Sequence, residues 1–215
     1  MPQKIFFLMI LSSNSKRVDL IGAGGHARAV IALLERCEYG IEGVYDKSYV
    51  QGVEEFIAGI KLRGAQPSGD RLLVVAIGDN SAREAVVDTY STMILPVNLV
   101  DPSAIVNKDV VLGNSNQLLA RTILNTEAKI GNNNIINTGA IIEHETEVGS
   151  NCHISVNAVL CGRVKVGDNC FVGAGAVVID GISICSHVII GAGAVVIRNI
   201  TEPGVYVGNP ARRIK

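Results

Sequence analysis

An aliphatic residue recurs at every sixth position between residues 100 and 196 of this chain. The column consists of Val100, Val106, Leu112, Leu118, Leu124, Ile130, Ile136, Ile142, Val148, Ile154, Leu160, Val166, Val172, Val178, Ile184, Ile190 and Val196. Most residues four positions later are small, as at Ala128, Ala140, Cys152, Ala158 and Ala176. A period of six fits neither an amphipathic helix, with a period of about 3.6, nor a half-buried strand, with a period of about 2. It is typical of hexapeptide repeats, in which each hexad supplies one short strand and one turn.

This period predicts a left-handed parallel β-helix over residues 100–200. Three hexads close one triangular coil, so the structural repeat along the axis is 18 residues. The aliphatic residue fills the interior, and coils stack about 4.8 Å apart. Each coil is stabilised by its neighbours. The period stops at Ile200, and Pro203 directs the chain into a C-terminal tail of residues 201–215.

The segment before the repeat, residues 17–99, has a different pattern. It predicts strands at Val18–Ile21, Ile41–Tyr45, Arg71–Ile77 and Leu95–Leu99, with helices at Arg28–Tyr39 and Ala82–Thr92. Gly40 is the expected C-cap of the first helix and Ser81 the expected N-cap of the second. Alternating strands and helices predict a small Rossmann-like α/β domain with a parallel sheet. Residues 1–16 are an extension without an assigned role, whose apolar run is too short to span a membrane.

A glycine-rich loop joins the first predicted strand to the first helix. Residues 22–27 have the form G-x-G-x-x-A, in which glycines let backbone amides approach a phosphate at a helix N-terminus. Asp46 ends the second strand, where contacts with a ribose or base are expected. The loop favours a nucleotide site, although the same glycine turn also has a purely geometric explanation.

Composition and charge narrow the functional classes. The chain has 19 basic and 20 acidic residues, a balance that argues against a nucleic-acid-binding surface. It is 48% apolar but only 4% aromatic, which suits coils filled by valine and isoleucine. Five cysteines occur without a C-x-x-C motif, which favours reduced thiols and a cytoplasmic location.

One hexad differs from the others in its turn, where His144 is flanked by Glu143 and Glu145. A neighbouring carboxylate stabilises an imidazolium and can orient the ring as a general base. Gly162 follows one coil later on the same face, where it leaves room beside the ring and exposes an N–H that suits an oxyanion. The spacing alone leaves open an exposed surface histidine and a glycine needed only for the turn.

A second histidine, His153, follows His144 by nine residues, which is half a coil. Residues half a coil apart face different sides of the prism. If both serve one site, they come from neighbouring chains, and packing around a three-fold axis brings them together. The spacing therefore predicts a homotrimer with active sites between subunits. His187 has no acidic neighbour and is interpreted as a surface residue.

Three segments together resemble the sialic-acid O-acetyltransferase-like (NeuD/PglD-type) group of hexapeptide-repeat enzymes that acetylate bacterial sugars. They are Gly22–His26, Ile141–Glu145 and Gly204–Ala211. The resemblance covers about residues 18–213 and is nearest to the bacillosamine-pathway branch, which N-acetylates a UDP-linked 4-amino-4,6-dideoxy sugar. It implies an acetyl-CoA-dependent N-acetyltransferase of bacterial glycan or polysaccharide biosynthesis that needs no metal and inserts into no membrane.

The resemblance also implies roles for individual residues. His144 is the general base, Glu145 polarises it, and the Gly162 N–H stabilises the oxyanion in a direct transfer. Asn137 helps to place the histidine or the substrate, and His153 lies near the thioester. The nucleotide-sugar substrate is assigned to Gly22, Gly24, Gly25, His26, Asp46, Lys47, Gly78, Asp79 and Asn80. Acetyl-CoA is assigned to the neighbourhood of Gly173, Gly191, Val207 and Arg212.

Three alternatives stay open at this point. An O-acetyltransferase of sialic acid or a related nonulosonic acid would use the same base on a hydroxyl group. A zinc enzyme of the carbonic-anhydrase type would need three histidine ligands converging between subunits, which the surroundings of His144, His153 and His187 disfavour. A non-catalytic β-helix scaffold would leave the Glu-His-Glu turn without a purpose. The sequence leaves the sugar, its nucleotide, the acylated atom and the acyl length unspecified.

Overall fold

A computed structural model describes residues 16–67 and 69–215 of the chain. Apart from Lys16, the predicted extension of residues 1–16 lies outside the described residues. The chain divides into two compact units. The first holds the described residues up to Ile77 together with Tyr90–Leu95, and the second holds Gly78–Thr89 together with Pro96–Lys215. The domain boundaries 17–99, 100–200 and 201–215 stay predictions.

The first unit contains a five-stranded sheet and one helix, α1 (Gly25–Arg36). The strands are β1 (Arg17–Ile21), β2 (Gly40–Tyr45), β3 (Phe56–Ile57), β4 (Ile60–Gly64) and β5 (Leu73–Val75). Their order is β3-β4-β2-β1-β5, and every pair is parallel except the β3–β4 hairpin. Helix α1 buries one apolar face, made of Ala27, Val30, Ile31, Leu33 and Leu34. The Rossmann-like prediction is confirmed, and the hairpin makes the sheet mixed rather than wholly parallel.

The ends of helix α1 differ from the prediction. The helix begins inside the glycine loop and ends at Arg36. Gly40 is not its C-cap; it opens β2 instead. Glu38, with a φ of 63°, takes the left-handed conformation that the prediction gave to a C-cap glycine. The Tyr39 N–H then donates to the Leu34 carbonyl at 2.8 Å, which closes the helix.

The second unit is built mainly of two-residue strands that recur every six residues. They are β6 (Leu99–Val100), β7 (Ile105–Val106), β8 (Val111–Leu112), β9 (Gln117–Leu118), β10 (Ile123–Leu124), β11 (Lys129–Ile130), β12 (Ile135–Ile136), β13 (Ile141–Ile142), β14 (Glu147–Val148), β15 (His153–Ile154), β16 (Val159–Leu160), β17 (Lys165–Val166), β18 (Phe171–Val172), β19 (Val177–Val178), β20 (Ser183–Ile184), β21 (Val188–Ile190), β22 (Val195–Val196), β23 (Gly204–Val207) and β24 (Arg212–Arg213). The predicted strand at Leu95–Leu99 is wrong, because only Leu99 of it lies in a strand.

These strands form three sheets, which are called faces here. Face 1 contains β6, β9, β12, β15, β18, β21, β23 and β24; face 2 contains β7, β10, β13, β16, β19 and β22; face 3 contains β8, β11, β14, β17 and β20. Paired residues are 18 apart and parallel, as for Ile123 with Ile141. Edge A denotes the turns from face 1 to face 2, and edge B the turns from face 2 to face 3. The predicted parallel β-helix with an 18-residue coil is confirmed.

The predicted aliphatic column fills the interior of the coils. Every member from Leu118 to Val196 is buried, whereas Val106 in the first coil is 37% exposed. Burying each of these side chains contributes about 1.5–3 kcal/mol. The 18-residue register ends after β22, since Ile184 pairs with Ile200 two residues short of a full coil. The antiparallel pair β23–β24 then completes face 1.

Buried asparagines from successive coils line one inner corner of the prism, and their side-chain amides are hydrogen-bonded. The Asn116 side-chain carbonyl accepts the Asn134 N–H at 2.9 Å. The Asn134 side-chain carbonyl in turn accepts the Cys152 N–H at 2.7 Å. A buried amide without partners is costly, so this ladder explains why polar residues are tolerated in the interior.

Helix α2 (Asn80–Thr89) also belongs to the second unit. It starts two residues earlier than predicted. Ser81 is not its cap, because the Ala82 N–H donates to the side chain of Asp79 at 2.8 Å. Polar side chains attach the helix to the coils; for example, the Asn80 amide donates to the Cys170 carbonyl at 2.9 Å.

Candidate active site

His144 lies on edge B, in the turn between β13 and β14. Its Nδ1 is 3.1 Å from Oε2 of Glu145, and the two side chains are 43% and 50% exposed. A carboxylate only accepts hydrogen bonds, so Nδ1 carries the proton and Nε2 of the neutral ring has a free electron pair. The His144 carbonyl accepts the Arg163 N–H at 2.9 Å, and the Glu145 N–H donates to the Thr126 carbonyl at 3.0 Å. The turn is therefore tied to the coils on both sides.

Gly162 lies one coil away from His144, directly beside its ring. A Cβ added at Gly162 would meet Cε1 of His144 at 2.5 Å and Nε2 at 2.6 Å. Oδ1 of Asp180 would lie 3.0 Å from the same point on the other side. Any side chain at this position would displace the imidazole, which gives Gly162 a steric reason independent of turn shape.

The Gly162 N–H differs from the corresponding amides of the coils before it. The Thr126 N–H donates to Oδ1 of Asn125 at 2.9 Å, and the His144 N–H donates to Oε2 of Glu143 at 3.3 Å. At the next coil the preceding residue is Cys161, which has no carboxylate or amide oxygen. Among the described residues no acceptor is bonded to the Gly162 N–H. An amide without a protein acceptor is the type of group that stabilises an oxyanion.

Cys161 is the nearest candidate nucleophile on this edge. Burial, followed by the charges of Glu143 and Asp180, raises the pKa of its thiol. A raised pKa keeps sulfur protonated at neutral pH, whereas the thiolate is the reactive form. The edge therefore supports base catalysis rather than attack by cysteine.

His153 belongs to a separate cluster on face 1 and is only 8% exposed. Its Nδ1 is 3.1 Å from the Gly78 carbonyl, and its Nε2 is 3.0 Å from Nδ2 of Asn137. Because a carbonyl only accepts, Nδ1 donates to Gly78 and Nε2 accepts from Asn137. The Phe171 ring meets the imidazole edge to face at 5.2 Å. Asn137 thus contacts His153 and not His144.

Of the residues assigned to acetyl-CoA, Gly173 and Gly191 lie on edge A, in the same row of turns as Asn137, and Val207 and Arg212 lie in strands β23 and β24 of face 1. A Cβ at Gly173 would lie 2.5 Å from the backbone nitrogen of the next coil, and one at Gly191 would lie 2.8 Å from Cγ1 of Val207. Val207 pairs with Arg212 across β23 and β24. The structure therefore brings Asn137, Gly173 and Gly191 to one edge of face 2, with Val207 next to Gly191, and His144 with Gly162 to the other edge.

Face 2 separates the two edges and is aliphatic on its outside. The outward residue of each strand precedes the buried one. On face 2 these residues are Ile105, Ile123, Ile141, Val159, Val177 and Val195, and on face 3 they are Val111, Lys129, Glu147, Lys165 and Ser183. All six on face 2 are at least partly exposed within the single chain.

A cavity of about 590 Å³ lies beside His153 in the second unit. It is lined by Gly78–Ser81, His153, Asn169, Phe171, His187 and Ile189. His187, which the sequence predicts to be a surface residue, is exposed and also lines this cavity. A signal was present, because His187 breaks a row of asparagines at residues 133, 151 and 169 that share its left-handed corner position. Predicted residues Gly78, Asp79 and Asn80 lie here, at the start of α2.

The remaining predicted residues lie in the first unit, around the glycine loop. Gly22 has a φ of 110°, and a Cβ there would lie 2.7 Å from the Ala76 carbonyl. Gly24 caps α1, and Gly25 and His26 begin it. A Cβ at Gly24 or Gly25 would meet no protein atom within 4 Å, so the loop is open on that side.

Asp46 closes this loop, and Lys47 follows it in sequence. Oδ2 of Asp46 accepts the Ala23 N–H at 2.7 Å, and Oδ1 accepts the Ser48 N–H at 2.9 Å and its hydroxyl at 2.7 Å. Burial acts to raise the pKa of Asp46, but these hydrogen bonds outweigh it and hold the pKa below its ordinary value. Asp46 therefore shapes the loop, whatever else it contacts.

In the described part of the chain, no group of three or more His, Cys, Asp or Glu side chains is arranged to hold a metal ion. None of the described helices combines the length and apolarity needed to cross a membrane.

Known protein families match both the N-terminal and the C-terminal part of the chain. A family model described as the PglD N-terminal domain matches residues 17–90, and one described as bacterial transferase hexapeptide (six repeats) matches residues 163–198. The curated UDP-N-acetylbacillosamine N-acetyltransferase of Bacillus subtilis is 35% identical over 114 residues, which is 49% of this chain and 52% of that protein. The match thus spans about half the length of this curated relative.

Solved structures match over nearly the whole chain. A histidine-to-alanine variant of GDP-perosamine N-acetyltransferase from Caulobacter crescentus, in complex with CoA and GDP-perosamine, is 33% identical with a TM-score of 0.86. That match covers 92% of this chain and 96% of the other. The acetyltransferase domain of PglB from Neisseria gonorrhoeae is 25% identical with a TM-score of 0.84, covering 93% and 100%. The chain therefore belongs to the family of hexapeptide-repeat sugar N-acetyltransferases that carry a PglD-type N-terminal domain.

Proposed function

We propose that this protein is an acetyl-CoA-dependent N-acetyltransferase acting on a nucleotide-linked 4-amino-4,6-dideoxy sugar in bacterial glycan biosynthesis. One observation carries the proposal: the His144 ring, paired with Glu145, lies directly beside Gly162, whose N–H has no acceptor among the described residues. A base and an oxyanion donor at one place are what acyl transfer to an amine requires. The Caulobacter relative is solved with CoA and GDP-perosamine, and the name of the curated relative gives a UDP-sugar, so both nucleotides are candidates.

The proposed reaction is a direct transfer. As the sugar amine attacks the thioester carbonyl, Nε2 of His144 takes the proton from nitrogen, and Glu145 stabilises the resulting imidazolium. The Gly162 N–H donates to the carbonyl oxygen as it gains negative charge. The carbon–sulfur bond then breaks, and the CoA sulfur leaves with the proton held by His144. No protein nucleophile takes part, in agreement with the protonated thiol of Cys161.

We also propose a homotrimer in which each site takes His144 from one chain and the Asn137–His153 pair from its neighbour. His144 lies on edge B, whereas Asn137 lies on edge A and His153 on the adjoining face 1, so one chain does not bring the two groups together. Face 2 is the aliphatic face and is the expected contact around the three-fold axis. Acetyl-CoA would lie along edge A, with the glycines Gly173 and Gly191 leaving space for it and Arg212 near its phosphates.

The glycine loop of the first unit is proposed to bind the nucleotide of the sugar substrate. The loop is open at Gly24 and Gly25, and it leads into the N-terminus of α1. A cytoplasmic location is proposed because Cys152, Cys161, Cys170 and Cys185 carry free thiols, as expected under reducing conditions.

The test is thiol release from acetyl-CoA with a panel of UDP-, GDP- and dTDP-linked 4-amino-4,6-dideoxy sugars. We expect turnover with at least one of them and a loss of about 10²–10⁴-fold in kcat for His144→Ala. Glu145→Gln should lose about tenfold in kcat, because it keeps the general base but removes the carboxylate that stabilises the imidazolium. Glu127→Gln is the matched control, because Glu127 holds the same left-handed corner position one coil earlier and should leave turnover unchanged.

Two results would overturn this proposal. Full activity of His144→Ala would remove the general base. Turnover with sialic acid, but with no amino sugar, would keep the base and assign the enzyme to O-acetylation instead.

A further inference from the structure

Arg83 of helix α2 is the largest fully buried side chain of the described residues, with an exposure of 0%. Its Nε donates to the Asn133 carbonyl at 3.2 Å, and its Nη2 donates to the carbonyls of Asn151 at 2.7 Å and Cys152 at 3.1 Å. Burial lowers the pKa of Arg83 to about 10, which still leaves it charged at neutral pH. Burying a charge is costly, so its position needs a reason beyond packing.

The same guanidinium reaches the loop that precedes its helix. Nη1 donates to the Gly78 carbonyl at 3.2 Å, and Nη2 donates to the side-chain oxygen of Asn80 at 2.9 Å. The Gly78 carbonyl also accepts the Nδ1 proton of His153 at 3.1 Å. One backbone oxygen therefore connects Arg83 to the histidine of face 1.

The hydrogen bonds continue from His153 to edge A. Nε2 of His153 accepts from the Asn137 amide at 3.0 Å, and the Asn137 oxygen accepts the Thr138 N–H at 2.8 Å. The oxygen and one N–H of this amide are thus engaged. Its second N–H has no bonded acceptor among the described residues and is left for a ligand on edge A.

We propose that Arg83 is a positioning residue of the acetyl-transfer site, acting through His153; this inference rests on the proposed function. Arg83 holds the Gly78 carbonyl in place, and that carbonyl keeps the proton of His153 on Nδ1. The other tautomer would turn an electron pair toward the carbonyl oxygen and a proton toward the Asn137 amide. The tautomer therefore fixes the direction of Asn137.

A lysine at position 83 cannot make the contacts that the Arg83 guanidinium makes. The guanidinium is planar with five N–H donors in a fixed geometry, and here it serves acceptors from the α2 loop and from two coils. An ammonium has three donors around one point, so it keeps the charge but not the simultaneous contacts. Arg83→Lys is therefore the informative substitution.

The first test is a double-mutant cycle between Arg83→Lys and His153→Ala, with kcat measured by thiol release. Misplacement of a site group by about 1 Å costs up to about 100-fold, so we expect a loss of about 10–100-fold in kcat for Arg83→Lys. In the His153→Ala background the same substitution should cause no further loss. Glu84→Gln is the matched control, because Glu84 binds the coils through Asn151 but does not touch Gly78, and its kcat should stay unchanged.

The second test reads the tautomer of His153 by ¹⁵N NMR of labelled imidazoles, and it needs no turnover. The chain has four histidines, so the His153→Ala spectrum identifies the signal. We expect the Nδ1–H form in the wild type and a mixture of both forms in Arg83→Lys. If that variant does not fold, Asn80→Ala, which releases one bond to the guanidinium, should shift the populations in the same direction.

The outcomes separate this inference from the proposed function. An unchanged tautomer, together with kcat losses that multiply in the cycle, would show that Arg83 only docks the helix and would overturn the inference. A wild type without turnover on any amino sugar would overturn the proposed function, and the tautomer measurement would still decide the role of Arg83.

Discussion

His144 and His153 occur half a coil apart in the same repeat, yet their surroundings are opposite. His144 is 43% exposed and is bonded through one ring nitrogen to a carboxylate. His153 is 8% exposed, and both of its ring nitrogens are occupied. A ring with one free nitrogen and a neighbouring negative charge can accept and release a proton. A ring bonded on both sides is suited to holding another group in place.

The difference follows from what each edge presents to its histidine. On edge B the neighbouring coil contributes Gly162, which leaves space for the His144 ring, and the side chain stays 43% exposed. On face 1 the helix α2 and its preceding loop cover the ring, and Arg83 anchors that cover. The same repeat thus yields an exposed histidine and a buried histidine, depending on what packs outside the coil. Face 2 lies between them, which is why two chains are proposed to complete one site.

The strongest test of this comparison mixes two variant chains, each of which keeps only one of the two histidines. Trimers formed from a His144→Ala chain and an Asn137→Ala/His153→Ala chain should recover activity, although each variant alone has lost about 100-fold or more. In a random mixture about a quarter of the sites would combine both intact partners. Thiol release after co-refolding or co-expression measures the recovery. No recovery in mixtures shown to contain both chains would overturn the proposal that one site takes the two histidines from different chains.

Gly162→Ala tests the reactive edge alone. The new Cβ would lie within about 2.6 Å of the His144 ring, so the ring must move away from the free N–H. We expect a loss of about 10–100-fold in kcat with a smaller change in KM. In a His144→Ala background the same substitution should have little further effect on kcat, since the ring that it displaces is gone. Equal losses in both backgrounds would mean that Gly162 acts through backbone shape.

The aliphatic face between the two histidines is tested by a matched pair of lysines. Val159→Lys places a charge in the middle of face 2, whereas Ser183→Lys places the same residue on the polar face 3. Burying an unpaired charge in an interface costs several kcal/mol, so Val159→Lys should dissociate the trimer and Ser183→Lys should not. Sedimentation or light scattering measures the mass. A trimer that withstands Val159→Lys would move the interface to another face.

The fold could be predicted because its interior positions recur at one fixed spacing and each coil contacts only its neighbours. Once the column was identified, the stacking of Gly162 beside His144 followed from counting 18 residues. Helix ends were less predictable. Glu38 adopts the left-handed conformation in place of glycine, and Asp79 caps α2 although Ser81 is equally suitable by type. Such choices depend on tertiary contacts rather than on local preference.

Arg83 could not be predicted as part of the site. Its partners are mainly backbone carbonyls that lie 50 to 69 residues away in sequence, and a carbonyl carries no residue-type signal. His187 could have been noticed, because it interrupts a row of corner asparagines. The residues proposed to act by side-chain chemistry were therefore visible in the sequence, and the residue proposed to act by holding the backbone was not.

The smallest expected effect concerns the aromatic contact that helps to hold His153. Phe171→Leu removes the edge-to-face contact at 5.2 Å but keeps an apolar side chain of similar reach. Such pairs contribute about 0.5–1.5 kcal/mol beyond their buried area, so we expect a decrease of that size in the free energy of unfolding. Because Gly78 and Asn137 still bind both ring nitrogens, kcat should change by less than about threefold. Denaturant unfolding and thiol release measure the two effects, and the cycle with His153→Ala isolates the ring contact. A large loss of kcat with unchanged stability would mean that Phe171 contacts a substrate directly, and that the cavity beside it, rather than the fixed ring, is what the reaction uses.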